Sequence, residues 1–289
     1  MNPITEPGLH DDISNADYHR GLRANPKPLS SSMAKTLVTK SPAEFKWEAE
    51  HRVEKDAFDA GTAVHELVLE GEFKTVTVLD FSDYKTKAAQ DAKKATYAAG
   101  LTPMLERDLV DVRAMAKAVK DSKLASSVFT QGKPEVSALV QDPKSGIWLQ
   151  ARFDWLTLGK HPRIADLKTT AKGANPRSFN REIAERHYHL SGAFYCRVLQ
   201  LLGYDDPAFQ FVAVSKSAPY LTSVVELSLM DRDLGDLLVD KAIATYAACL
   251  AADSWPGFDT EIYHSSLPVW AQYEAEEISG ITDEEMRIA

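Results

Sequence analysis

Apolar residues along this chain follow two rhythms. In the N-terminal half they recur every three or four positions, which predicts helices; between Glu135 and Thr170 they run contiguously or alternate, which predicts strands. "LSSSMAKTLVTK" sets Met33, Leu37 and Val38 on one stripe behind serines 30–32, which are N-cap residues. Pro42 then ends that helix before a second short one. In "FDAGTAVHELVLEGEF" Ala60, Val64, Leu67 and Val68 form a third stripe, and Gly71 supplies the stop. Residues 82–125 are polar and helical, with a clean amphipathic period in "LERDLVDVRAMAKAVKDS". Residues 1–28 hold several Pro and Gly without a period and read as a mostly irregular lead-in.

The runs "EVSALVQ", "IWLQARFDWLTL" and "RIADLKTT" are rich in β-branched and aromatic residues and predict three strands. "DPKSG" (142–146) and "GKHP" (159–162) are turns by composition, so the three form a meander. "IAERHYHLSGAFYCRVLQLLG" (183–203) predicts one helix closed by Gly203. "AFQFVAVSK" and "LTSVVELS" predict two further strands, and "DLGDLLVDKAIATYAACLAA" a long helix. From Trp255 onward there are short pieces and an acidic end. This order predicts an α/β or α+β sheet flanked by helices rather than a string of βαβ units.

Composition narrows the classes. With 289 residues, 44% hydrophobic and 26% charged, the chain has room for one large domain. No apolar run approaches the roughly 20 residues of a membrane span, and "MNPITEPGLHDD" shows no basic region followed by an apolar core. Cys196 and Cys249 are the two cysteines, too few for a four-cysteine metal site, and a reducing cytoplasm is expected. The net charge of -9 argues against a protein that coats nucleic acid through its overall field. Any DNA contact must come from a local basic lining. Lys85, Lys87, Lys93 and Lys94 read first as a solvated helix face. No Gly-x-Ser-x-Gly elbow and no phosphate-binding Gly-x-x-x-x-Gly-Lys-Ser/Thr loop occurs.

Asp166 and Lys168 carry the chemical signal. Two apart on a strand, they share a face with Ile164, while Ala165 and Leu167 take the other. Alone, such a pair is an ion pair at a strand end. A hairpin centred on Lys160 sets Asp154 opposite Asp166, and a divalent cation between them removes the cost of like charges. A turn centred between Lys144 and Ser145 sets Glu135 opposite Asp154; otherwise Glu135 is an edge residue without a role. Lys168 is then placed to orient or deprotonate a water, or to stabilise charge on a phosphoryl transition state. Arg152 meets phosphate or forms a structural ion pair. His187 and His189 read as capping or surface residues, and Trp148, Trp155 and Trp270 as core.

Asp154, followed twelve residues later by "ADLK", resembles the PD-(D/E)xK nuclease superfamily. "AGTAVH" (60–65) resembles the Gly-x-x-x-His helix of its RecB/exonuclease branch, whose histidine is a metal ligand; the resemblance carries that role to His65. "SSSMAKTLVTKSPAEFKW" resembles the N-terminal helix and Ser/Cys-Pro segment of that branch, and "HLSGAFYCRVL" its Gln-x-x-x-Tyr helix. Together with "DDISNADYH" (11–19), "DPKSGIWLQARFDWL", "IADLKTT" and "SLPVWA" (266–271), these segments follow the order of the exodeoxyribonuclease VIII (RecE-like) family of phages and prophages. They span most of residues 8–272. Two departures stand out. Ser191 replaces the Gln, with Tyr195 kept four residues on and so on the same helix face. Ser41 stands where iron–sulfur relatives carry Cys, and no C-terminal cysteine cluster follows, so no iron–sulfur cluster is expected.

The resemblance implies one PD-(D/E)xK domain over 29–272, with a central mixed sheet flanked by helices. Its parts are a helical decoration (29–130), the catalytic meander and helix (133–203), and closing strands and helix (208–252); an acidic tail (273–289) follows. It implies a Mg²⁺-dependent exonuclease, with Mn²⁺ an alternative. Such an enzyme degrades double-stranded DNA ends 5′ to 3′ and leaves 3′ single strands for phage-type recombination. It also implies a single-strand annealing partner and a toroidal homo-oligomer, with no membrane association. His65, Asp154 and Asp166 are the expected metal ligands, with the Leu167 carbonyl a fourth. Lys168 is the expected catalytic residue beside the acids, and Glu135, Ser191 and Tyr195 are further candidates. A structure-specific endonuclease of repair or defence, and a non-catalytic DNA-end-binding subunit, are the alternatives.

Overall fold

The computed structural model describes residues 4, 6–22, 26–51, 56–258, 262 and 264–279, without the side chains of 56–59. Met1–Trp255 and Pro256–Ala289 form two compact units. Most described residues of the N-terminal lead-in lie outside regular elements, and two short elements interrupt it. A strand β1 (Gly8–His10) pairs antiparallel with the first meander strand, and a helix α1 (Asn15–Arg20) is capped by Ser14. A two-residue strand β2 (Leu29–Ser30) runs parallel to the second meander strand. Strands this short show no period; the sheet edge that receives them makes them.

Helices α2 (Ser31–Thr39) and α3 (Pro42–Glu50) break at Pro42 as expected. The Ser30 side chain caps α2, and Ser41 forms a reciprocal capping box with Glu44. Helix α4 (Asp56–His65) runs into a π turn, Glu66–Glu70, which ends at Gly71 with φ 87°. There the left-handed backbone suits glycine. Strands β3 (Val76–Leu79) and β4 (Thr102–Leu105) form a small parallel pair around α5 (Lys87–Ala98); a helix was expected there, the two strands were not. Helices α6 (Glu106–Asp121) and α7 (Lys123–Val128) follow.

The meander is β5 (Lys133–Gln141), β6 (Trp148–Thr157) and β7 (Arg163–Thr170). Helices α8 (Pro176–Glu185) and α9 (Tyr188–Leu201) then cross over to β8 (Ala208–Ser215), and β9 (Thr222–Glu226) and α10 (Leu229–Ala252) close the unit. The sheet order is β1-β5-β6-β7-β8-β9, with β7 and β8 parallel and β2 joined to β6. The helix expected over 183–203 is two helices, separated at Arg186 and His187, where His187 adopts φ 52°. Its apolar period continues across the break, so the sequence hides it. The break accompanies two contacts of buried Glu182, which accepts from Thr170 Oγ1 at 2.5 Å and pairs with the exposed Arg186.

The parallel pair is covered on both faces, which explains its near-continuous apolar sequence. Ile164, Phe209 and Phe211 pack with α9 and α10 residues on one side, among them Phe194 and Val239. Ala165, Leu167, Val212 and Val214 pack with Val64 of α4 and Leu109 and Val112 of α6 on the other. Helices α9 and α10 meet closely at Gly235, where a Cβ would lie 2.4 Å from the His189 carbonyl oxygen. In the second unit, α11 (Val269–Ser279) exposes Trp270, so this tryptophan is not core. Among the described residues no helix is long and apolar enough to cross a membrane.

Candidate active site

Both registers fall where the turns imply. The β6–β7 ladder pairs Trp155 with Ala165, Leu156 with Ile164 and Thr157 with Arg163, a hairpin centred on Lys160. The ladder stops short of Asp154. Its Oδ2 instead accepts from the Leu167 N–H at 2.8 Å, so a carboxylate serves where a backbone carbonyl would. On the other side, Pro134 pairs with Trp155 and Val136 with Phe153, and Glu135 between them is passed over at φ 55°. That interruption accompanies a Glu135 side chain that reaches Asp154. A left-handed backbone at a non-glycine costs on the order of 1–3 kcal/mol and persists only where surrounding contacts hold it.

The holding contact is Arg152. Its Nε meets Glu135 Oε2 at 2.5 Å, and its Nη1 reaches the Ile13 carbonyl (2.9 Å) and Ser137 Oγ (3.0 Å). The guanidinium also lies 5.9 Å from the Tyr18 ring centroid. Arg152 is therefore an ion-pair residue, and the "DDISNADYH" segment braces the site through it. Gln150 ties that segment down further, bonding the Leu22 N–H and the Tyr18 carbonyl. Sequence patterns offered no signal for this brace.

His65 arrives from the opposite layer, at the last residue of α4. Its Nε2 meets the Leu167 carbonyl at 2.6 Å, and its Nδ1 lies 3.4 Å from Asp154 Oδ2. The π turn begins at the next residue, where buried Glu66 accepts from the Lys74 and Thr75 N–H groups at 2.7 and 2.9 Å. Adjacent residues thus serve different partners, a use to which π turns are suited. With Nε2–H donating to the carbonyl, the Nδ1 lone pair faces a carboxylate oxygen. Only a proton or a cation between them makes that approach favourable.

One ligand atom each from His65, Glu135 and Asp154 fall within 4.8 Å of one another. An imidazole and two carboxylates beside a peptide carbonyl form a donor set for a divalent cation. The His65 and Asp154 side chains keep 25% and 18% exposure. Burial, then the Asp166 charge, pushes Asp154 well above the usual carboxylate range. Burial, then Asp154, raises Glu135 as well, against the pull of Arg152. Burial, then the Lys168 ammonium, lowers His65. This is a cluster with more negative charge than the protein alone neutralises.

Asp166 stands outside that trio, buried and ion-paired with Lys168. Burial disfavours the Lys168 ammonium, but Asp166 and Asp154 outweigh it and hold Lys168 above the ordinary lysine range. Tyr195 of α9 packs edge-on against Phe153, with centroids 5.6 Å apart. Burial foremost, and the charges of Asp166, Asp154 and Glu135 with it, keep the Tyr195 phenol protonated. Ser191 is buried and its Oγ has no hydrogen-bond partner among the described residues, so the shorter side chain reaches none of the acids. His187 precedes α9 without a side-chain cap, its ring stacked on His189.

A mixed sheet flanked by helices, with Asp-x-Lys on its central parallel strand and a second acid on the neighbouring strand, defines the PD-(D/E)xK class. The chain belongs to the DUF3799 family, described as a PDDEXK-like domain of unknown function, whose profile matches residues 30–262. The fold is similar to that of a protein from Eubacterium rectale described as a candidate exonuclease. The two share 12% identity at a TM-score of 0.61, over 90% of this chain and 97% of that one. A phage-related exonuclease from Haemophilus somnus 129PT matches at 12% identity and a TM-score of 0.29, over 67% of this chain and 95% of that one. No curated protein matches.

Proposed function

We propose that this protein is a divalent-metal-dependent deoxyribonuclease that degrades double-stranded DNA from its ends, 5′ to 3′. The observation that carries the reading is the His65, Glu135 and Asp154 trio within 4.8 Å, beside the Asp166–Lys168 pair. A cation held there, Mg²⁺ by its preference for oxygen donors or Mn²⁺, would polarise a phosphoryl oxygen and activate a water. The chain's own groups do the rest. The Leu167 carbonyl holds His65 in one orientation, and Arg152 holds Glu135. Asp166 aims the Lys168 ammonium, which balances charge gathering on the attacked phosphate. Tyr195 has a proton to donate toward the acids.

The order of RecE-like motifs along the chain, and a structural neighbour described as an exonuclease, support exonuclease action over cleavage within strands. The same resemblance supports 3′ single strands as product, a single-strand annealing partner in phage-type recombination, a ring-shaped homo-oligomer and work in a host cytoplasm. A ring suits the charge of -9, since basic residues lining a channel leave the exterior acidic. The test is linear duplex labelled at either end, and closed circular DNA, with Mg²⁺ or EDTA, using wild type and Lys168→Ala. Metal-dependent loss of the 5′ label, absent in the variant and on circles, is expected. Cleavage of circles would make the protein an endonuclease. Binding of ends without any cleavage would make it a non-catalytic subunit, a reading that the unpartnered Ser191 hydroxyl favours.

A further inference from the structure

Two lysines approach one aromatic ring at the rim of this site. Lys35 Nζ, from α2, lies 5.3 Å from the Tyr188 ring centroid, and Lys168 Nζ, from β7, lies 5.4 Å from it. Tyr188 is the first residue of α9, placed there by the left-handed His187 that splits α8 from α9. The two ammonium groups differ in what neutralises them. Lys168 has Asp166. Lys35 has no carboxylate at ion-pair distance among the described residues. By contrast Lys40, one turn further along, is paired with Glu48 on the surface.

The charges around Lys35 are mostly of its own sign. Lys168 and Arg186 oppose its ammonium, and Asp166, already taken by Lys168, is the acid that favours it. Lys35 also bears on His187. A cation–π contact contributes less than withdrawing an ammonium from water costs. Burial, then Lys168, accordingly lowers Lys35 to about 8. A sheltered cation without an acid, next to a metal-ligating cluster, is stabilised by an anion from outside.

Building on the nuclease reading above, we infer that Lys35, steadied by Tyr188, grips a backbone phosphate of the bound DNA strand next to the one that Lys168 serves. Because both lysines share one ring, the phosphates they take are neighbours on the same strand.

Two measurements test this on the full chain. The first is fluorescence anisotropy of a blunt duplex in EDTA across a salt series, with wild type, Lys35→Met and Lys35→Arg. Loss of one phosphate contact flattens the slope of log affinity against log salt by about 0.7–0.9; this is expected for Lys35→Met, and Lys35→Arg keeps the wild-type slope. The second is single-turnover cleavage of duplexes carrying one neutral methylphosphonate at successive positions. At one phosphate beside the cleaved bond, wild type slows about as much as Lys35→Met slows on natural DNA, and Lys35→Met slows no further. An unchanged salt slope in a folded Lys35→Met, or losses that add at every position, overturns the proposal. If wild type cleaves nothing, the nuclease reading falls while the salt slope still decides whether Lys35 holds phosphate.

Discussion

Removing one carboxylate from the acidic cluster should stabilise the metal-free protein while abolishing its response to metal. Asp154→Asn is the informative change. Glu135 and Asp154 ligand atoms lie within 4.8 Å. Two unit charges at that separation repel by about 3 kcal/mol at an effective dielectric near 20. Asparagine removes that repulsion and keeps an oxygen for the Leu167 N–H, at a loss of about 1 kcal/mol for the weaker acceptor. Arg152 already offsets part of the Glu135 charge. Loss of the Lys168 attraction to Asp154 offsets more of it, so the expected net gain is about 1 kcal/mol in EDTA at a pH where both carboxylates are charged, read by urea denaturation. A divalent cation at a hundredfold excess over its Kd stabilises wild type by about 2.7 kcal/mol, and the variant much less, so the order reverses when metal is added. The pH dependence has a defined sign. Asp154 and Glu135 lie above their unfolded values, so the native state holds protons that the unfolded chain has released. Wild-type stability in EDTA falls as pH rises from the ordinary carboxylate range toward neutrality, and the gain from Asp154→Asn grows with it. A variant less stable than wild type in EDTA, with the same metal-induced shift, would refute the crowded-carboxylate argument.

Arg152→Ala leaves the Glu135 carboxylate without its partner and frees the Ile13 carbonyl, so a loss of about 3 kcal/mol is expected, with faster proteolysis within residues 11–22. Gly235→Ala forces a methyl to 2.4 Å from the His189 carbonyl oxygen and 2.8 Å from Ala193 Cβ. Overpacking at this α9–α10 contact should cost about 1–3 kcal/mol in urea titrations. At Gly61 a methyl meets nothing nearer than Thr169 Oγ1 at 3.9 Å. Gly61→Ala should therefore raise stability by up to about 1 kcal/mol through helix propensity. Should its DNA cleavage nevertheless fall, the space above Gly61 belongs to substrate rather than to folding.

The strands of the meander were legible because alternation and turn composition are local. The same locality set both registers: a hairpin centred on Lys160 and a turn between Lys144 and Ser145 follow from where the turn residues sit. The face of β7 that carries Asp166 and Lys168 follows from the two-residue period. Other features escaped the sequence. β1, β2, β3 and β4 are too short for a period; strands of the main sheet receive β1 and β2, and β3 and β4 receive each other. The break at His187 interrupts a stripe that would otherwise suit one helix.

The sequence by itself determined which residue types face which side of the central strands, because side-chain direction is a property of the local backbone. Only the tertiary structure decided which of them meet. It brought His65 from one layer to the Leu167 carbonyl, turned Glu135 through a left-handed backbone toward Asp154, and fastened it with an arginine held by the N-terminal segment. It also gave Lys168 an acid and left Lys35 without one at ion-pair distance among the described residues. Distances between groups far apart in the chain depend on how layers pack, and neither periodicity nor composition encodes that.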